Sequence, residues 1–95
     1  NDQMVAPAMK GAMGNCYAQL GQLDKASSML LKAADEADNT TLSPIYLKQA
    51  GEILVKQGKY DDAIKAYTSI KEKYFRSYQA MDIDKYIEQA KLLKK

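Results

Sequence analysis

The residues able to do chemistry are few and far apart. Cys16 is the single thiol and histidine is absent, so the commonest general base is missing. A thiol becomes a nucleophile when a neighbouring base or cation stabilises its thiolate. Cys16 has no such neighbour in sequence. It falls at helical spacing between the apolar Met13 and Leu20, where it is expected to be a buried small hydrophobe. Ser27 and Ser28 are expected on the exposed side of a helix, with no triad partner. The carboxylates are no better placed for a metal. Asp82 and Asp84 are two apart, so on a helix they do not share a face. Asp61 and Asp62 read as acids favouring a helix N-terminus. Asp35, Glu36 and Asp38 crowd beside a loop but lack the glycine and glutamate pattern of a calcium loop. The chain holds seven tyrosines. Stacking nucleobases on them would need a groove of Lys or Arg alongside, and the basic residues form no such stripe. Tyr60, Tyr67, Tyr74 and Tyr86 are expected in the core, Tyr46 and Tyr78 partly exposed. The residues thus point to no catalytic site, no metal, no cofactor and no nucleic-acid partner.

What must position any site is a repeat. Pro7 and Pro44, Gly14 and Gly51, Gly21 and Gly58, Asp24 and Asp61, and Ala26 and Ala63 recur at an offset of 37 residues. The apolar stripe Leu23, Ala26, Leu30, Ala33, Ala37 recurs as Tyr60, Ala63, Tyr67, Ile70, Tyr74. A fixed period of this size marks stacked supersecondary units. In the first unit, Pro7 is expected at the first helical position, where its missing N–H costs nothing. Met9, Ala12, Met13, Cys16, Tyr17 and Leu20 make one apolar face, and Gly21 ends the helix at positive φ. A second helix is expected over Leu23 to Ala37, then a polar turn through Ser43. Ser43 reads as an N-cap, with Pro44 after it. Tyr46, Ala50, Ile53 and Leu54 face inward, and Gln57-Gly58 closes that helix. A fourth helix is expected from about Tyr60 to Tyr74. A break at Phe75-Arg76-Ser77 leads to a last helix, Tyr78 to Lys94, with Ile83, Tyr86, Ile87, Ala90 and Leu93 inward and Asp82, Lys85 and Gln89 outward. A polar outer face suits a cap on the final unit.

The chain of 95 residues is one domain at most. It opens on Asn1 rather than Met and reads as a piece of something longer. No apolar run approaches the ~20 residues needed to cross a bilayer. Residues 1–42 carry three lysines against five acids, a net of −2, and residues 43–95 carry eleven basic residues against seven acids, a net of +4. The excess at Lys91, Lys94 and Lys95 complements the negative end of a helix.

Paired helices with Gly14, Tyr17, Ala26 and Leu30 in one unit, and Gly51, Leu54, Ala63 and Tyr67 in the next, resemble the tetratricopeptide repeat (TPR) family. The small residues let two helices approach and the large ones fill the space between them. The family's usual period is about 34 residues; its leading Trp is here Lys10 or Leu47, and its closing Pro is Asp38 or Phe75. The resemblance implies an all-α fold: a TPR-like α-solenoid of two helix-turn-helix repeats, about 7–38 and 44–75, plus a C-terminal capping helix, about 78–94. It implies a non-enzymatic scaffold binding a protein or extended peptide along the concave surface, lined by the first helix of each pair. By register those positions include Ala8, Gly11, Asn15, Ala18 and Gln19, then Ile45, Lys48, Glu52, Val55 and Lys56. Asn15, Gln19, Lys48, Glu52 and Lys56 are the candidate partner-binding residues. A carboxylate clamp known in the family is absent: Asn15 matches one of its positions, but Gly11, Gln49, Asp82 and Tyr86 stand where its other four ligands belong. The alternative is a structural segment of a longer array, or a self-association module, with Met4, Val5, Ala8 and Met9 as an open apolar face for a homo-oligomer. The tail from Tyr74-Phe75-Arg76-Ser77-Tyr78 to Ile87 is similar to the end of bacterial cell-envelope TPR proteins. These carry one N-terminal membrane anchor and are similar to ancillary translocon subunits. That resemblance implies a periplasmic domain, with the cytoplasm as the alternative.

Overall fold

The computed structural model describes residues 2–95, with side chains described from Val5 onward. It is all-α: α1 (Asp2–Gln19), α2 (Leu23–Ala37), α3 (Ser43–Lys56), α4 (Tyr60–Lys73), a 3₁₀ segment (Tyr78–Asp82) and α5 (Ile83–Lys94). Each helix packs against the next as an antiparallel neighbour. No strand occurs among the described residues.

The two hairpin turns are copies. Gly21 and Gly58 sit at φ 78° and 76°, a region that costs glycine nothing. In the first, the Gln22 N–H donates to the Tyr17 carbonyl at 2.9 Å and the Gly21 N–H to Ala18 at 3.1 Å; in the second, Lys59 donates to Leu54 at 2.9 Å and Gly58 to Val55 at 3.0 Å. This paired closure satisfies two of the last carbonyls of each helix.

Close approach within each pair follows from Gly14 and Gly51. A Cβ at Gly14 would lie 2.7 Å from Leu30 Cγ, and one at Gly51 would lie 2.3 Å from Tyr67 Cε1. Ala26, Ala63, Leu30 and Ile70 are wholly buried and Tyr67 nearly so. The packing positions of the two units are therefore those the repeat marks. Gly11 serves a different contact, since its hydrogen lies where a Cβ would meet the Tyr46 ring at 2.3 Å.

The structure corrects several expectations. Helix α1 begins at Asp2, so Pro7 lies inside it. A proline there gives up one backbone bond, and its ring is fully buried. Ser43 is not the N-cap of α3; Leu42 holds that place. Buried Ser43 instead donates its Oγ–H to the Ala34 carbonyl at 2.7 Å and accepts the Asn39 N–H at 3.1 Å, tying the end of α2 to the start of α3. The last helix opens as a 3₁₀ turn, capped by Ser77 Oγ accepting from the Ala80 N–H at 3.2 Å. Ser27 is buried rather than exposed, and Leu93 is exposed rather than inward; Tyr46 is buried, as its place on the inner face of α3 implies, and not partly exposed. Cys16 is exposed. Met4, expected on the open apolar face, lies outside the residues whose side chains are described.

Candidate functional site

A groove of about 590 Å³ runs between α3 and the 3₁₀ segment. Ile45, Lys48, Gln49 and Glu52 line one wall. Their spacing of three and four residues puts them on one face of α3. The other wall is Tyr78, Gln79, Met81 and Asp82. Tyr78 and Met81 are about four-fifths exposed, so two large apolar side chains stand over the groove with no intramolecular cover.

The charges here are partly engaged. Lys48 Nζ lies 4.4 Å from the centroid of the Tyr86 ring, within the range of cation–π attraction. Tyr86 in turn tilts against Tyr67 with centroids 5.8 Å apart. Burial, with the nearby Glu52 carboxylate and Tyr86 as lesser causes, pushes the Tyr67 phenol up to about 12. Glu52 and Asp82 present exposed carboxylates to the groove.

Of the five candidate residues, Lys48 and Glu52 line this groove. Asn15 borders it, with Nδ2 donating to Gln49 Oε1 at 3.4 Å. Gln19 and Lys56 are exposed outside its walls. Gly11, mapped to the same surface, is buried under Tyr46. Sequence reasoning missed the second wall. The available signal was Tyr78 and Met81, three apart and outside every inward stripe.

Elsewhere several polar groups are engaged in the frame. Tyr74 Oη donates to Asp38 Oδ1 at 2.7 Å; burial first, and that bond second, raise the Tyr74 phenol above its ordinary value. Glu36, in the same acidic cluster, pairs with Lys10. Asp24 is held by Gln57 and by Lys59 at 3.2 Å, while Asp61 meets Lys94 at 2.7 Å. Asp24–Gln57 and Asp61–Lys94 are the same contact one repeat apart, so α5 occupies the place on α4 that α3 occupies on α2. Among the described residues no three metal-ligating side chains gather, and no helix is long and apolar enough to cross a membrane.

A second surface lies on the far side of α1. Met9, Ala12, Met13, Cys16, Tyr17 and Leu20 surround a shallow apolar depression of about 390 Å³. The expected apolar face exists, but it points to solvent.

The fold and these surfaces define a helical-repeat protein with an open groove. Residues 47–73, from the middle of α3 through α4, match the tetratricopeptide repeat family. Comparison with curated proteins and with solved structures returns no match.

Proposed function

We propose that this chain is a non-enzymatic interaction module that holds an extended polypeptide across α1 and α3, anchored in the groove beside the 3₁₀ segment. The observation that carries this reading is the groove itself, with Tyr78 and Met81 as uncovered apolar contacts beside half-buried Ile45, among charges of both signs. Exposed aromatic anchors with polar surroundings are the usual seat of binding energy. Asn15, Gln19 and Lys56 extend the contact along the same side, and Lys48 and Glu52 set its charge preference. The partner is a segment with one apolar side chain and flanking charge, bound weakly and with salt sensitivity.

Chemical-shift titration with such peptides tests this. Tyr78→Ala and Met81→Ala are expected to weaken every peptide. Lys48→Ala with Lys56→Ala is expected to weaken acidic and mixed ones while leaving the melting temperature nearly unchanged. Shifts clustering around Lys25, Ser28 and Lys32, or only near Lys91, would overturn the assignment. The second reading, a structural segment that stacks or self-associates, is favoured by the bare apolar face of α1. The likeness of the tail to envelope proteins extends the proposal to a periplasmic setting, which cell fractionation tests.

A further inference from the structure

The face of α1 that lies open is covered everywhere else in the molecule. Met9, Met13 and Cys16 stand in register with Tyr46, Ala50 and Ile53 of α3 and with Ile83, Ile87 and Ala90 of α5. All six of those residues are buried, as α2 packs antiparallel on α3 and α4 on α5. On α1 no helix fills that seat: Val5 is 51%, Met9 62%, Met13 44% and Leu20 71% exposed, and Ala12 and Cys16 are exposed too.

The pattern on this face is a palindrome. About a midpoint between Ala12 and Met13, Val5 mirrors Leu20, Met9 mirrors Cys16, and Ala12 mirrors Met13. These residues fall within a single stripe of the helix, and between Val5 and Leu20 no charged residue lies in it. We propose that a second copy of this chain covers the face, with two α1 helices crossing antiparallel on a two-fold axis between residues 12 and 13. The two-fold itself supplies the antiparallel direction that α2 takes on α3. Each large side chain meets a smaller one: Met9 meets Cys16, Met13 meets Ala12, and Leu20 meets Val5. With no charge in the stripe between Val5 and Leu20, pairing brings no like charges together there.

The other end of the molecule selects a closed pair over a chain of copies. The register position of Gly14 and Gly51, which admits Leu30 and Tyr67, is Glu88 in α5. Glu88 and its neighbours Asp84 and Lys91 are exposed, so α5 offers no seat for a further helix. Self-association is therefore face to face, and an isologous contact closes on itself. Stable interfaces bury about 1,200–2,000 Å²; one helix pair supplies less, so the dimer is weak. This inference does not rest on the groove.

Sedimentation velocity from about 10 μM to 1 mM, the range where weak dimers form, tests it. A monomer–dimer equilibrium is expected, abolished by Met13→Glu, which places two carboxylates near the axis, and unaffected by Tyr78→Ala. Both variants change exposed residues, and an unchanged melting temperature of dilute monomer confirms folding. Met9→Cys is expected to cross-link to Cys16 of the partner subunit under mild oxidation. Wild type is not, because its two Cys16 thiols lie ~10 Å apart along the axis, beyond disulfide reach. Ala8→Cys, off the stripe, serves as the control. A monomer at 1 mM, assemblies larger than a dimer, a dimer indifferent to Met13→Glu, or equal cross-linking from Ala8→Cys would each overturn the proposal.

Discussion

A methyl group at Gly51 would sit 2.3 Å from a ring carbon of Tyr67, whose side chain is 2% exposed and has no room to retreat. In an exposed helix, alanine would improve on glycine by about 1 kcal/mol. Here the clash outweighs that gain, and Gly51→Ala is expected to lose ~1–3 kcal/mol in a denaturant melt. Ala26 and Ala63 are wholly buried in equivalent places, so Ala26→Leu and Ala63→Leu are expected to cost a similar ~1–3 kcal/mol by overpacking. Tyr67 gives the same contact a pH dependence. Its phenol is pushed up from 10.0 to about 12, chiefly by burial. The neutral form is thus favoured in the folded state. The stability this represents is complete below pH 10 and is lost as pH rises toward 12, because the unfolded chain ionises first. An alkaline melt series is expected to decline across that window, and Tyr67→Phe is expected to flatten part of the decline.

Ser43 shows how one hydroxyl joins two elements. It donates to Ala34 at the end of α2 and accepts from Asn39 in the linker, from a fully buried position. Ser43→Ala removes both bonds, each worth about 0.5–1.5 kcal/mol, and a cost of ~1–3 kcal/mol is expected. Hydrogen exchange should quicken at the Asn39 amide, while the turn at Gly58, far along the chain, keeps its protection. Elements were legible in proportion to how local their causes are. The glycine turns and the bounds of α2 follow from residues adjacent in sequence, and they stand where the repeat puts them. Pro7 misleads because a proline rule describes a favoured place, and a well-packed ring can sit deeper. The apolar stripe of α1 misleads for another reason. Periodicity reveals that a face is apolar, but whether a neighbour covers it is a property of the assembly. Cys16 was expected to be buried on that account, and it is exposed. The groove was half legible: register placed Lys48 and Glu52 on one face of α3, but nothing local announced that a 3₁₀ turn would bring Tyr78 and Met81 opposite them.

The whole molecule is a slab, with principal extents of 43 × 32 × 15 Å. Its helices touch in chain order, α1 with α2, α2 with α3, α3 with α4 and α4 with α5. Mechanical behaviour follows from that arrangement. Tension applied between the termini loads these contacts in series, and each hairpin can peel away without breaking the ones behind it. A β-sheet pulled along its strands must shear many hydrogen bonds at once; among the described residues this slab has no such clamp. Held in an optical trap, the chain is expected to lengthen in separate small steps at low force, with intermediates that refold promptly when the load is relaxed. One cooperative rupture at high force would show that the repeats are bound together by more than the contacts between successive helices.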